Sequence, residues 1–317
     1  MKFPVFDLHC DTLSRLLGQN MDSFGSLLDN ECHISLNRAE KLPGYAQCFA
    51  CFTTDLWEGK SPVTAVQSFE RQIAQFQREM NHHSDKIAMA YSADEVEENL
   101  KKGMMSGILT IEGPAGFGFD PELLSDLALI GFRMTTLGWN ENNALTGSNV
   151  TGGGLTDLGK VYVKEAQAQG MIVDVSHISD EGFWDIMEIT EKPIVASHSN
   201  SRFVCDHSRN LTDDMFRALC QTGGVAGINL YSAFLGDNAN IDTVCDHILH
   251  FLELDPTGTH IALGGDLDGC DSLPEGISGI DDYPSIADRL SQRGVDDGIL
   301  HNIYWNNALG VMGKCCM

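Results

Sequence analysis

The stretch TDLGKVYVKEAQAQGMIVDVSH, Thr156–His177, holds one structural unit from end to end. Thr156 is a helix-opening residue, the segment that follows is amphipathic, and Gly170 closes it. Met171–Ser176 then runs nearly continuously apolar, as a strand buried on both faces of a parallel sheet does, and His177 ends it. Helix, glycine, strand, polar end is the grammar of a βα protein.

Working outward, the same unit recurs. Strands are expected at Val5–Asp11, Ala46–Phe52, Gly107–Glu112, Arg133–Leu137, Met171–Ser176, Ile194–Ser197, Val225–Asn229 and Ile261–Gly264, Arg133–Leu137 being the least apolar. Pro62, Ser92 (boxed with Glu95), Pro121, Ser179 and Thr212 open further helices; Gly103, Gly131 and Gly223 close others. The helix behind Pro62 should run to about Asn81. Eight strands suggest an α/β fold of the (β/α)8 TIM-barrel type, with a doubly wound open sheet as the rival that periodicity alone does not separate. Without a linker, low-complexity tract or repeat, residues 1–317 read as one catalytic domain, with Gly147–Gly154 and Leu230–Asn240 as long loops on the active face.

A formal net charge of −25 repels phosphate backbones and anionic lipid, so neither nucleic acid nor membrane is an expected partner. No apolar run reaches the ~18 residues that span a bilayer, and the start lacks a signal-like core; a cytoplasmic protein is expected. The ten cysteines are scattered, which suits buried thiols in a reducing compartment. Cys315 and Cys316 are expected to be exposed in a tail.

The chemistry-bearing residues fall at strand ends. His9 and Asp11 flank Cys10, so strand alternation turns both to one side. Glu112, His177 and His198 each end a hydrophobic strand, and Asp266 follows Gly264-Gly265. Taken singly, a histidine there is more often a hydrogen-bonded structural residue, and a Gly-Gly-Asp turn is often only a turn. Six together at the carboxyl ends, where barrel active sites are built, point to a divalent cation, because buried carboxylates and imidazoles are costly without a partner. Three histidines and three carboxylates are ligands zinc accepts, and Glu112 suits a bridge between two ions.

The motifs Asp7-Leu8-His9-Cys10-Asp11-Thr12, Ile111-Glu112-Gly113, Asp174-Val175-Ser176-His177, Ser197-His198-Ser199-Asn200, Ser208-Arg209-Asn210 and Gly264-Gly265-Asp266-Leu267-Asp268-Gly269 resemble, in order and over nearly the whole chain, the membrane (renal) dipeptidase family of binuclear zinc peptidases. The resemblance implies a (β/α)8 barrel and two Zn2+ per chain. His9 and Asp11 would hold one ion, His177 and His198 the other, and Glu112 would bridge them. Asp266, beside the first ion, would handle the proton of the attacking water. Arg209 would grip the substrate's terminal carboxylate. Where eukaryotic members carry a substrate-contacting histidine, Trp139 stands, followed by Asn140 as in bacterial relatives; it is expected to wall the pocket.

Two ions sharing a water would lower its pKa and supply hydroxide to a dipeptide, including one with a C-terminal D-residue. A homodimer is the assembly the resemblance allows. Two other functions stay open. Another amidohydrolase on this barrel usually begins His-x-His and bridges through a modified lysine, whereas His-x-Asp and a glutamate stand here. A non-catalytic metal-binding barrel would typically have lost ligands. Asp268 either orients a ligand or stabilises its turn, and Gly152-Gly153-Gly154 is a loop rather than a phosphate cradle.

Overall fold

The computed structural model describes residues 2–18 and 21–316. Nine strands form one parallel sheet: β1 (Val5–Cys10), β2 (Tyr45–Phe52), β3 (Ile87–Met89), β4 (Met105–Glu112), β5 (Phe132–Thr136), β6 (Ile172–Asp174), β7 (Ile194–Ala196), β8 (Val225–Ile228) and β9 (Ile261–Leu263). Pairing runs β1-β2-β4-β5-β6-β7-β8-β9 and returns from β9 to β1, which closes an eight-stranded barrel and removes the open-sheet alternative. The eight expected strands are these eight. β3 was not anticipated; its three residues pair with Met105–Gly107 at the start of β4, below the place where β5 takes over.

Each barrel strand sends residues inward. Phe6, Ala46, Ile108, Met134, Ile172, Val195, Val225 and Ala262 form one cluster, a layer of the barrel interior. The same cluster includes Trp305, Val311 and Met312, so the C-terminal helix Asn307–Cys315 closes the end where the strands begin. Cys315 and Cys316 belong to that plug and are buried, contrary to the exposed tail expected of them; the apolar surface at the barrel floor outweighs their position at the end of the chain. A larger cluster lies between the strands and the outer helices.

The glycine stops hold: Gly103, Gly131, Gly170 and Gly223 all sit at positive φ, where a Cβ would be strained. Thr156, Ser179 and Thr212 cap the helices Asp157–Ala168, Asp180–Ile189 and Asp213–Thr222 through their side-chain oxygens. Two helix starts differ. The long helix begins at Ala65 and ends at His82, because Thr64, two residues beyond Pro62, forms a reciprocal capping box with Gln67. Ser92 caps Glu95 as expected, but the Glu95 carboxylate returns to the Tyr91 N–H instead.

Candidate metal centre

At the other end of the barrel the strands deliver their last residues to one point. Along β4, Ile108, Thr110 and Glu112 share a side, while Leu109 and Ile111 face the outer cluster, so Glu112 arrives at the mouth by simple alternation. On β1 alternation alone is not enough: Leu8 is in the interior cluster and His9 follows it at the mouth. The β1–β2 register shifts between Asp7 and Cys10, a bulge of the kind that re-aims a side chain. Asp266 and His177 lie just beyond their strands at φ 54° and 69°, a left-handed conformation non-glycine residues rarely adopt. These two turns bend the chain so that both side chains return over the centre.

All six anticipated residues are brought together. His9 Nε2 lies 3.3 Å from Asp11 Oδ2, 3.4 Å from Glu112 Oε2 and 3.9 Å from Asp266 Oδ1. On the other flank, Glu112 Oε1 lies 3.0 Å from His177 Nε2 and 3.9 Å from His198 Nε2, and those two nitrogens are 2.9 Å apart. The imidazoles of His9 and His198 stack with centroids 3.8 Å apart. Glu112 thus divides its oxygens, one toward each histidine group. His9, Glu112 and His198, and separately His9, Asp11 and Asp266, bring ligand atoms close enough to share an ion.

Burial decides the electrostatics. Glu112 is pushed up to about 8, first by desolvation and then by Asp11, against the pull of His9. Asp266 rises to about 6, again chiefly through burial. His177 and His198 are driven well below their ordinary range by burial, with nearby positive charge adding to it. Burial also pulls His9 down, but Glu112 and Asp11 outweigh it and hold the imidazolium well above its usual range. Left to protons, the cluster keeps a protonated Glu112 beside a charged imidazole at neutral pH. His9 Nε2 and Asp11 Oδ1 are also buried without a hydrogen-bond partner. Divalent cations remove both costs, since they take carboxylate oxygens and imidazole lone pairs together. The residues present fit such ions.

Partners the sequence did not single out hold the ligands. Ser197 Oγ lies 2.6 Å from His198 Nδ1 and 2.5 Å from Asp174 Oδ2, so Ser197 donates to Asp174 and can accept from Nδ1–H. That tautomer leaves Nε2 with its lone pair directed inward. Asn140 Oδ1 sits 3.2 Å from His177 Nδ1 and acts the same way. On the opposite flank Asn229 Nδ2 donates to Asp266 Oδ2 at 3.0 Å. Buried Asp7 accepts from the His9 and Gly265 N–H groups at 2.9 and 3.0 Å and from the Tyr283 hydroxyl, tying β1 to the loop behind β9. Asp268 does not touch the centre: its oxygens accept from Thr12 Oγ1 and the His33 N–H.

A cavity of about 460 Å³ opens above this cluster. Phe52 and Trp139, edge to face at 5.2 Å, make one wall, and Tyr231 with Phe234 makes another. Arg209 is buried beside the histidines; its Nη atoms donate to Ser199 Oγ and the His198 carbonyl, and its Nε has no partner. Its guanidinium lies 5.4 Å over Phe234. Among the described residues no carboxylate pairs with it. A buried guanidinium without a carboxylate partner has the chemistry that suits an anion.

Comparison with known proteins decides the family. The model of "Membrane dipeptidase (Peptidase family M19)" matches residues 1–316. The chain belongs to the membrane dipeptidase family. That family is one of peptidases, and the ligand cluster just described suits cation-assisted hydrolysis. An uncharacterized dipeptidase of Schizosaccharomyces pombe is 31% identical over 262 residues; the match covers 80% of this chain and 64% of the yeast protein. An uncharacterized protein from Klebsiella pneumoniae is 31% identical over 265 residues, covering 79% of this chain and 97% of its own length. Two solved structures share the fold along the whole chain. One is a metallo peptidase from Rhodobacter sphaeroides liganded with a phosphinate mimic of L-Ala-D-Ala (TM-score 0.88, 22% identity, covering 99% and 100% of the two chains). The other is a dipeptidase described as a metallo peptidase (TM-score 0.89, 23% identity, covering 100% and 99%).

Proposed function

We propose that this membrane dipeptidase family member hydrolyses short dipeptides with two zinc ions, within a single catalytic domain. His9 and Asp11 would hold one ion, His177 and His198 the other, with Glu112 shared. The observation that carries this is the split Glu112 carboxylate, Oε2 toward His9 and Oε1 toward His177. Bound ions would supply Lewis acidity to the scissile carbonyl and acidify the attacking water. The chain's own residues do the rest. Asp266, steadied by Asn229, accepts the water's proton and returns it to the leaving amine. Arg209 takes the C-terminal carboxylate, which sets how far a substrate reaches and so restricts it to short peptides. Trp139 and Phe52 exclude water from one side.

The L-Ala-D-Ala mimic on the Rhodobacter protein supports extending this to dipeptides with a C-terminal D-residue. Ten free cysteines, and no helix long and apolar enough to cross a membrane among the described residues, support a cytoplasmic enzyme acting on a small dissolved substrate. Assembly as a homodimer belongs to the same reading.

Metal analysis paired with a dipeptide assay tests it. About two zinc ions per chain, activity lost to a chelator and restored by zinc, and amino acids rather than ammonia released are the expected results. Full activity in rigorously metal-free protein would end the proposal. Arg209→Lys should weaken dipeptides with a free carboxylate far more than their C-terminal amides, and equal losses on both would remove Arg209 from that role.

A further inference from the structure

Arg15 lines the cavity above the ligand cluster, whereas Arg209 is buried beneath it against the histidines, and nothing so far has given Arg15 a task. It lies in the helix Thr12–Leu17, one turn after Asp11, its own N–H bonded to the Asp11 carbonyl at 3.2 Å. Its side chain is exposed and lines the same 460 Å³ cavity as Asp11, Glu112, His177 and Asp266. In a chain with 45 acidic and 20 basic residues, most cations find a carboxylate, yet among the described residues Arg15 makes no ion pair and no side-chain hydrogen bond. The nearby acids are bonded elsewhere, although the Arg15 charge reaches Asp268 through space. Asp268 accepts from Thr12 and His33, and Asp271, also on the cavity wall, lies against the Tyr231 hydroxyl.

Position around the barrel bears on what this exposed guanidinium would meet. Arg209 comes from the loop after β7, whereas Arg15 follows β1; in the ring β1-β9-β8-β7 they stand three strands apart, on different sides of the metal-ligand cluster. A dipeptide whose C-terminal carboxylate rests on Arg209 carries its scissile bond one residue away, over Glu112. Its N-terminal residue then lies toward β1, where Ser14 and Arg15 line the wall. We infer that Arg15 is a specificity-determining residue that favours dipeptides with an acidic N-terminal side chain. The inference rests on the dipeptidase reading and on Arg209 taking the carboxylate. Last-turn cations also favour a helix C-terminus, but that role needs no opening onto the cavity.

The test uses the zinc-loaded full chain and four substrates, Glu-Ala, Gln-Ala, Lys-Ala and Ala-Glu. Gln matches Glu in shape, so the ratio of their kcat/KM values reads charge alone. Glu-Ala should be preferred to Gln-Ala by about five- to tenfold at low ionic strength, and the preference should shrink as salt screens a partly exposed pair. Arg15→Gln should bring the ratio close to one, Arg15→Lys should keep part of it, and Arg15→Glu should turn preference toward Lys-Ala. A wild-type ratio near one, a wild-type preference for Lys-Ala, or a ratio unmoved in Arg15→Gln would overturn the inference while leaving the dipeptidase reading intact. An Arg15 effect as large on Ala-Glu would also overturn it, by placing the charge at the wrong residue. Failure of the wild type to cleave any of the four would instead count against the dipeptidase reading itself.

Discussion

The two flanks of the metal-ligand cluster are built from opposite chemistry. On the β1–β9 flank, His9 stands with two carboxylates, Asp11 and Asp266; on the β6–β7 flank His177 and His198 face each other, with Glu112 between. Burial pushes Glu112 and Asp266 up and His177 and His198 down, so at these groups it disfavours the charged form. The supports differ accordingly. The imidazole flank is held by acceptors, Asn140 on His177 and the Ser197–Asp174 pair on His198, which orient rings that have only one useful lone pair. The acidic flank is held by donors, Asn229 on Asp266 and the backbone N–H groups on Asp7, which restrain oxygens that would otherwise turn freely. Removing a support should therefore cost ligation on one flank and proton handling on the other.

The largest expected effect lies where the flanks meet. Glu112→Gln keeps the shape but loses the charge that lets one side chain serve two cations. Metal content should drop below two per chain, and kcat/KM should fall beyond the ~10²-fold cost of losing a hydrogen-bond partner of a ligand. A variant with full metal and normal turnover would place the bridge elsewhere.

Next is the imidazole flank. Asp174→Asn leaves Ser197 without its charged acceptor, frees the Ser197 proton to turn toward His198 Nδ1, and favours the tautomer with Nε2 protonated. Zinc affinity should fall ~10- to 100-fold, with one ion lost before the other in a chelator titration. Simultaneous loss of both ions would break the two-flank picture.

The acidic flank should respond through pH. The Asn229 hydrogen bond favours ionised Asp266, so Asn229→Ala raises the Asp266 pKa further and moves the acid limb of the kcat/KM profile to higher pH, with metal content retained. An unmoved limb would take the proton away from Asp266. Stability carries a related signature. The unfolded chain ionises Glu112 near 4.5, while the metal-free fold holds its proton to about 8. Between these values the fold binds more protons than the unfolded chain, so metal-free stability falls as pH rises through that window. Zinc compensates the carboxylate, so the gap in Tm between zinc-loaded and metal-free protein should widen from pH 5 to pH 8. A constant gap would mean Glu112 is ionised without metal.

What the sequence made legible follows the same division. Ligands at strand ends were readable because continuous apolar runs mark buried parallel strands, and a polar residue closing such a run stands out. His9, Glu112, His177 and His198 are all of that kind. Their supports were not, since Asn140, Asn229 and Asp174 are of types common in loops and strands alike, and only the folded chain brings Asp174 within reach of Ser197 and His198. β3 escaped because three residues beside charged Lys86 give too short a period. Cys316 was misjudged because nothing local says that the last helix plugs the barrel floor.

The smallest expected effect concerns the wall beside the imidazole flank. Trp139 has its ring centroid 6.3 Å from that of His177 and 5.2 Å from that of Phe52, and lines the cavity without belonging to the ligand cluster. An indole has one N–H donor and a broad apolar face, whereas the histidine of eukaryotic relatives can donate, accept or carry charge. If the indole acts as packing, Trp139→Ala leaves both flanks loaded with metal, because Asn140 rather than Trp139 holds His177 Nδ1. Turnover on Ala-Ala should change by less than about fivefold, while discrimination between small and bulky side chains relaxes, since one or two lost methylene contacts are worth ~10-fold. If turnover instead falls ~10²-fold with KM unchanged, the indole N–H donates to the oxyanion and the wall is part of the chemistry. A third result, metal lost from the imidazole flank alone, would show that the ring fixes His177 by contact, and the support of that flank would then be steric as well as hydrogen-bonded.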